Sequence, residues 1–307
     1  MADQLAAAEL ARLALSDRSE QLRWAAARLP LAGDPQAVPD ARLAARRLRE
    51  VWTALPGHLE PDSKGPRRRL RRLAAELRPL EQAEARLRLL GGLLGPPQVA
   101  PGGAPPQAAL LAQGREADGL RALLEAASLE EARIREQTIT RRLLLELETA
   151  AGLGVPAPGV ARQAPAVQLA RVQLAPLFEA AARGHRKTAA ARRRDLWRLL
   201  HRLELFAPAL SDQHQVVLAE IRRLSGLLDQ LRDRFELVEW VDQAAKRGAA
   251  DLRPALRRLV VRAELEMEAA GEVAELELRS LDAGGWWRTA LLACLPERRR
   301  SAGSPGR

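Results

Sequence analysis

Apolar residues recur every three to four positions along most of the chain, which is the spacing of residues on one face of an α-helix. No stretch of useful length alternates apolar and polar residues as a strand does, so the chain is predicted to be all-α. The predicted helices cover residues 40–55, 67–90, 128–150, 193–206, 213–242 and 252–281. Asp40, Ser128 and Asp212 are predicted N-caps, because their side-chain oxygens can accept from free backbone amides at a helix start.

Two stretches rich in glycine and proline interrupt this pattern, at residues 91–107 and 151–165. Proline lacks an amide donor and clashes with the preceding turn, so both stretches are predicted to break helices. The second lies near the middle of the 307-residue chain and indicates two halves of similar length. The predicted organisation is a first helical unit at 1–150 that contains the loop 91–107, a linker at 151–165, a second helical unit at 166–297 and a disordered basic tail at 298–307.

The composition adds positive charge to this helical picture. Hydrophobic residues make up 47% of the chain and charged residues 29%, as in globular proteins. The 49 basic residues outnumber the 39 acidic ones, and all but Lys64, Lys187 and Lys246 are arginines. Arginine can hold two oxygens of one phosphate, so this excess favours a polyanionic ligand. A solvated basic surface is the alternative interpretation of the same composition.

The sequence offers little for other kinds of chemistry. Cys294 is the only cysteine, and no two of the four histidines have the i, i+4 spacing of a helical metal site. Neither a glycine-rich phosphate loop nor a G-x-S-x-G serine motif occurs. The N-terminal residues lack the features of a signal peptide, and no apolar run approaches the ~18 residues of a membrane span. We therefore expect a cytoplasmic protein that is not an enzyme and has no metal, cofactor or membrane partner.

The helix predicted at 40–55 carries arginines along the face opposite its apolar residues. At about 100° per residue, Leu48 and Trp52 share one face, while Arg42, Arg46 and Arg49 share the other. Arg47 lies on the flank of the same helix, and the next helix begins with a basic run. The arginines of that run are Arg67, Arg68, Arg69, Arg71 and Arg72. Stacked like charges repel one another, so this face is better explained by an anion than by solvent.

The second half of the chain repeats the pattern before Phe206. Lys187, Arg194, Arg198 and His201 lie opposite the predicted apolar face, and Arg193 borders the core side. His201 is a candidate phosphate ligand that would gain charge at mildly acidic pH. Aromatic residues are only 3% of the chain, whereas readers of single-stranded nucleic acid usually stack bases on aromatic rings. Polyphosphate is therefore favoured over nucleic acid as the partner.

The segment AGDPQAVPDARLAARRLREVW, residues 32–52, resembles the signature of CHAD domains, the conserved histidine α-helical domains. The segments DLWRLLHRLELFAPALS, LSGLLDQLRDRFELVEWV and GGWWRTALLACL resemble later helices of that family, in the same order. Pro39 stands where the family has its first signature histidine. Either Arg193 or Arg194 corresponds to Arg42, because two alignments of the second repeat remain open. In the second helix, Glu81 and Gln82 replace the family's usual Arg-Asp pair.

The resemblance implies two pseudo-symmetric four-helix bundles with a basic groove or channel between them. It further implies binding of inorganic polyphosphate and an association with polyphosphate granules. Together with the arginine faces, it predicts non-catalytic binding of polyphosphate as the function. Two alternatives remain, a non-specific nucleic-acid binder and a helical scaffold for a protein partner whose anion site has decayed. The predicted site residues are Arg42, Arg46, Arg47, Arg49, Arg68, Arg69, Arg72, Lys187, Arg193, Arg194, Arg198 and His201.

Overall fold

The protein is described by a computed structural model. The described residues are 5–31, 34–55, 57–60, 64–94, 115–156, 165–183, 188–247 and 253–295. Lys187, the tail 298–307 and all but the first four residues of the loop 91–107 lie outside this description. The described part of the chain is almost entirely helical, as the periodicity predicts.

Eleven helices run through the described residues in chain order. They are α1 (Ala7–Arg28), α2 (Ala37–Ala54), α3 (Lys64–Glu76), α4 (Arg78–Leu94), α5 (Arg115–Thr138), α6 (Arg141–Ala151), α7 (Ala166–Ala182), α8 (Ala189–Phe206), α9 (His214–Arg247), α10 (Arg253–Ala283) and α11 (Trp286–Cys294). Two short strands, β1 (Leu59–Glu60) and β2 (Val155–Pro156), pair antiparallel. None of the described helices combines the length and the apolar composition that crossing a bilayer requires.

Helix packing brings the two arginine-rich helices together. In the first half α1 packs on α2 and α6, and α3 packs on α2. In the second half α8 lies between α7 and α9, and α9 forms a long hairpin with α10. The halves meet where α2 contacts α8, α4 contacts α9 and α5 contacts α10. The contact between α2 and α8 positions the functional residues described below.

Two apolar clusters hold the helices together. The larger one contains Leu48, Trp52, Leu199 and Phe206, all of them fully buried, on the faces that the periodicity predicts. The smaller one joins the ends of α4, α5, α9 and α10 through side chains such as Leu90 and Val241. Helices of both halves therefore share this second core. The division into units at 1–150 and 166–297 stays a prediction.

Several predicted boundaries are wrong, and each has a local cause. The helix predicted at 67–90 is two helices, because Pro79 in the first turn of α4 cannot continue α3. The helix predicted from Ser128 instead begins at Arg115, and Thr140 caps a new one by accepting from the Leu143 amide at 3.2 Å. Ser128 lies inside α5, so it is not an N-cap.

Two further predictions at helix ends are also wrong. Asp40 is not an N-cap, because α2 begins three residues earlier at Ala37. The Asp40 carboxylate instead accepts a hydrogen bond from Arg28 at 2.5 Å. Residues 91–94 were predicted to break a helix, yet α4 continues through both glycines to Leu94.

Truncating a core residue of α2 should destabilise the whole fold. Leu48 is fully buried among residues of the larger cluster, so we expect Leu48→Ala to lower the free energy of unfolding by about 2–5 kcal/mol. Leu145→Ala, at a position that is 62% exposed, should change it by less than about 0.5 kcal/mol. Urea unfolding followed by circular dichroism measures both, and equal losses would show that α2 does not pack as described.

Candidate functional site

A cavity of about 1000 Å³ lies between the arginine faces of α2, α3 and α8. Twelve arginines and Lys64 line it, together with a single carboxylate, that of Glu50. The lining arginines are Arg42, Arg46, Arg49, Arg67, Arg68, Arg71, Arg78, Arg193, Arg194, Arg198, Arg202 and Arg232. Thr53, Leu177, Trp197 and His201 complete the wall. The guanidinium groups of both halves of the chain therefore converge on one space.

Most of the predicted site residues line this cavity. Those that do are Arg42, Arg46, Arg49, Arg68, Arg193, Arg194, Arg198 and His201. Both candidate equivalents of Arg42, Arg193 and Arg194, are among them, so either alignment of the second repeat places an arginine in the wall.

Three predicted residues, Arg47, Arg69 and Arg72, are not among those that line the cavity, and Lys187 lies outside the described residues. Arg47 donates to Glu204 at 2.8 Å, and Arg72 pairs with Glu146 on α6. Arg69 is not among the lining residues. These three arginines therefore lie outside the cavity wall, and their role as phosphate ligands stays a prediction. Adjacent residues of a helix point to different sides, so a run of arginines cannot all face one cavity. The members of the run that line the cavity are Arg67, Arg68 and Arg71, whereas Arg69 and Arg72 lie on other sides of α3.

Several lining arginines are anchored by groups behind the cavity wall. Arg42, which is 5% exposed, donates to the Ala74 carbonyl at 3.0 Å and pairs with Glu81 of α4. Arg193 pairs with Asp229 at 2.8 Å. These contacts hold the guanidinium groups in place before any ligand arrives, which lowers the entropic cost of binding.

Glu50 of α2 anchors two further arginines from within the wall. It accepts from Arg202 at 3.2 Å, and Arg49 lies at the same distance from its other oxygen. The contact between Glu50 and Arg202 joins α2 to α8. The single lining carboxylate therefore links the two helices that bring the arginine faces together.

Other lining cations have no ion-pair partner in the part of the chain that the structure describes. They are Arg46, Lys64, Arg67, Arg68, Arg71 and Arg194. Arg67, Arg68, Arg71 and Arg194 are exposed, whereas Arg46 is half-buried. Five carboxylates outside the lining pair with its arginines, namely Glu81, Asp195, Asp229, Asp233 and Glu236. With Glu50, six carboxylates oppose thirteen cations, so the cavity keeps a large positive excess.

The electrostatics of the cavity reflect this excess. Burial, and to a smaller extent the neighbouring cations Arg46 and Arg232, lower the pKa of Arg42 to about 9. Burial, together with Arg193, likewise lowers the pKa of Arg46 to about 10, although Asp229 opposes the shift. Both guanidinium groups remain charged at neutral pH. Their mutual repulsion is a free-energy cost that a bound polyanion would relieve.

Next to the cavity, Glu204 organises a buried network on α8. Burial raises the pKa of Glu204, but His201, Arg47 and Arg222 outweigh that effect and lower it to about 2. Arg47 and Arg222 donate to it at 2.8 and 2.9 Å. The carboxylate is therefore ionised at neutral pH and holds Arg47 away from the cavity.

His201 lies beside this network and differs from the sequence-based expectation. Its side chain is 5% exposed, its ring lies 5.0 Å from that of Trp197, and burial lowers its pKa although Glu204 is 3.6 Å away. The expectation that it gains charge at mildly acidic pH is therefore not supported. Its role as a phosphate ligand stays a prediction.

Sequence reasoning left several lining residues out of the site. Arg67 and Arg71 belong to the same basic run as Arg68, but the run alone did not tell which members share a face. Arg78 and Arg232 come from α4 and α9, and only the contact between these two helices brings them into the cavity wall.

No group of three or more His, Cys, Asp or Glu side chains that could hold a metal ion occurs among the described residues.

Comparison with solved structures identifies the fold. The chain is similar to the crystal structure of the CHAD domain from the plant Ricinus communis, with a TM-score of 0.61 and 17% identity over 96% of this chain and 95% of that one. It is also similar to PptA from Streptomyces chartreusis, with a TM-score of 0.58 and 21% identity over 89% of this chain and 99% of that one. No family model and no curated protein matches the sequence. The predicted CHAD-like, all-α fold is confirmed.

The same comparison corrects one functional prediction. We expected that the chain is not an enzyme, because no known catalytic motif occurs in it. That prediction is wrong as an inference from fold and motifs, since the chain shares its fold with PptA from Streptomyces chartreusis.

Proposed function

We propose that this chain, which has the fold of CHAD domains, binds inorganic polyphosphate in the cationic cavity between α2, α3 and α8. One observation supports the proposal above all others: thirteen cationic side chains from both halves of the chain line one space of about 1000 Å³. A linear polyanion with a charge on each phosphate can contact many of them at once. Each bidentate contact with a guanidinium group adds affinity without any need for a base or sugar.

The aromatic content of the wall favours polyphosphate over single-stranded nucleic acid. Trp197 is the single tryptophan among the lining residues. Its indole nitrogen donates to Asp229 at 3.0 Å, and its ring packs near that of His201. Proteins that bind single strands without sequence preference usually offer a row of free aromatic rings.

We further propose that the protein is located at polyphosphate granules in the cytoplasm. A fluorescent fusion that is distributed evenly in granule-containing cells would contradict this proposal.

Polyphosphate should stabilise the protein against heat. At a concentration of about 100 times Kd, a ligand adds about 2.7 kcal/mol, which corresponds to a rise of about 5 °C in Tm for a chain of this size. Differential scanning fluorimetry measures the shift, with sodium chloride at equal ionic strength as the control. Single-stranded DNA at equal phosphate concentration should give less than half of it. An equal shift with DNA would contradict the preference for polyphosphate.

The same samples reveal the fate of the bound polymer, because the fold and the described cavity do not exclude catalysis. Orthophosphate release, measured with molybdate reagent, identifies polyphosphate as a substrate as well as a ligand. The binding proposal itself fails if the polymer neither shifts Tm nor binds in a filter assay.

Replacing Glu50 by glutamine should increase the affinity for polyphosphate. Glu50 is the single carboxylate among the lining residues, so its charge repels a polyanion and occupies Arg49 and Arg202. We expect Glu50→Gln to lower Kd about 3- to 10-fold, which is about 1 kcal/mol at the effective dielectric of a partly solvated site. Isothermal titration calorimetry measures the change, and Glu148→Gln on the exposed face of α6 is the matched control. A rise in Kd would mean that Glu50 acts mainly by holding Arg49 and Arg202 in position.

A further inference from the structure

The outer face of α10 exposes apolar side chains that the cationic cavity does not use. Val261, Leu265 and Leu276 are 55%, 60% and 73% exposed. The opposite face of the same helix is buried, through Leu256, Leu259, Ala263, Ala274 and Leu278. At about 100° per residue, the three exposed residues fall within an arc of about 60°. They therefore form a stripe along the outside of the helix, which we call the α10 stripe.

The neighbouring helix α9 also exposes an apolar side chain, Phe235. The Leu231 side chain lies 3.8 Å from the position of a Cβ on Gly271, which fixes the register of the hairpin between α9 and α10. One turn further along α9, Phe235 reaches the level of residue 267 of α10, on the side of α10 that faces α9. Phe235 is 50% exposed. Clustered exposed apolar side chains of this kind mark interaction surfaces more often than scattered ones do.

The charges along α10 are separated into two blocks of opposite sign. Residues 253–262 contain four arginines and no acidic residue, whereas residues 264–277 contain six glutamates and no basic residue. Arg257, Glu268 and Glu272 are exposed and lie within about 70° of the middle of the α10 stripe. None of these three has an ion-pair partner among the described residues.

We propose that the α10 stripe binds a second copy of this chain, with the two α10 helices antiparallel about a twofold axis. If the twofold axis passes near residue 264, residues 253–262 of each chain lie opposite residues 266–275 of the other. Val261 and Leu265 of both copies then meet at the centre, and each arginine block faces a glutamate block. A twofold axis makes both contacts equivalent, so one helix sequence suffices for a closed dimer.

The charge pattern selects this arrangement over a parallel one. Parallel α10 helices would place arginine opposite arginine and glutamate opposite glutamate, which is repulsive. The apolar area is small for a stable interface, so the expected affinity is weak and depends on protein concentration. The dimer should also weaken as salt rises, because exposed ion pairs contribute to it.

A charge exchange between two variants tests the proposal directly. The acidic block is reversed by Glu268→Lys with Glu272→Lys, and the basic block by Arg257→Glu with Arg262→Glu. Analytical ultracentrifugation at low salt, over about 10 μM to 1 mM protein, measures the mass. The unmodified protein should reach the mass of two chains. Each variant alone should remain a single chain over the same range, because both of its contacts become repulsive.

An equimolar mixture of the two variants should restore the dimer, since every contact again joins opposite charges. A matched control is Glu125→Lys with Glu148→Lys, which makes the same change of charge on exposed positions of α5 and α6 and should leave the dimer intact. The proposal is overturned if the unmodified protein stays a single chain up to 1 mM. It is equally overturned if either block variant dimerises as the unmodified protein does, or if the mixture fails to dimerise.

Discussion

Reversing two exposed cavity arginines, Arg68→Glu together with Arg194→Glu, should weaken polyphosphate binding by at least about 100-fold. The two residues come from α3 and α8, and neither has an ion-pair partner among the described residues. Each charge-assisted contact with a phosphate contributes about 1.5 kcal/mol, so the loss of two corresponds to about 3 kcal/mol before the added repulsion is counted. Filter binding or calorimetry at about 0.1 M salt measures the change in Kd.

The matched control reverses two arginines outside the cavity, Arg133→Glu and Arg141→Glu, on α5 and α6. The control changes net charge by the same amount. We nevertheless expect its Kd to stay within about 3-fold of that of the unmodified protein, because salt screens the effect of distant surface charges on a ligand in the cavity. All four positions are exposed, so the fold should tolerate both double variants. Equal losses in the two variants would mean that binding follows overall charge and that the cavity is not the site.

The affinity for polyphosphate should fall steeply with salt. Five arginines without an ion-pair partner in the described chain, Arg46, Arg67, Arg68, Arg71 and Arg194, line the cavity. If each displaces a counterion from the polymer, a slope of about −3.5 follows for log K against log salt, using the value for single strands. A tenfold rise in salt would then weaken binding by roughly 3000-fold. Titrations between about 50 and 500 mM sodium chloride measure the slope.

The slope also provides an internal check on the first prediction. Arg68→Glu with Arg194→Glu removes two of the five contacts, so the slope should become shallower by about 1.4. The control pair at Arg133 and Arg141 should leave it unchanged. A slope near zero for the unmodified protein would contradict ionic recognition, whatever the absolute affinity.

Local sequence patterns predicted helices in six stretches of the chain, together with the buried faces of α2 and α8. Leu48, Trp52 and Phe206 lie on the predicted apolar faces and are fully buried. Helix ends were harder, because a single proline or threonine decides them. Pro79 divides one predicted helix, and Thr140 begins another, although the apolar periodicity passes through both positions.

Sequence patterns could predict only those site residues that lie together on one face of a single helix. Periodicity placed Arg42, Arg46 and Arg49 on one face of α2, and all three line the cavity. It could not place Arg78 and Arg232, whose position depends on the contact between α4 and α9. Nor could it foresee that Glu204 draws Arg47 out of the cavity, because these residues are distant in sequence.

The central claim is that cations from the two halves of the chain act as one binding site. A crystal structure with a short polyphosphate bound tests it most directly. The account predicts consecutive phosphates inside the cavity, contacted on one side by Arg46 and Arg68 and on the other by Arg194. Phosphates held by one helix alone, or bound at a different surface while the cavity contains only water, would contradict it.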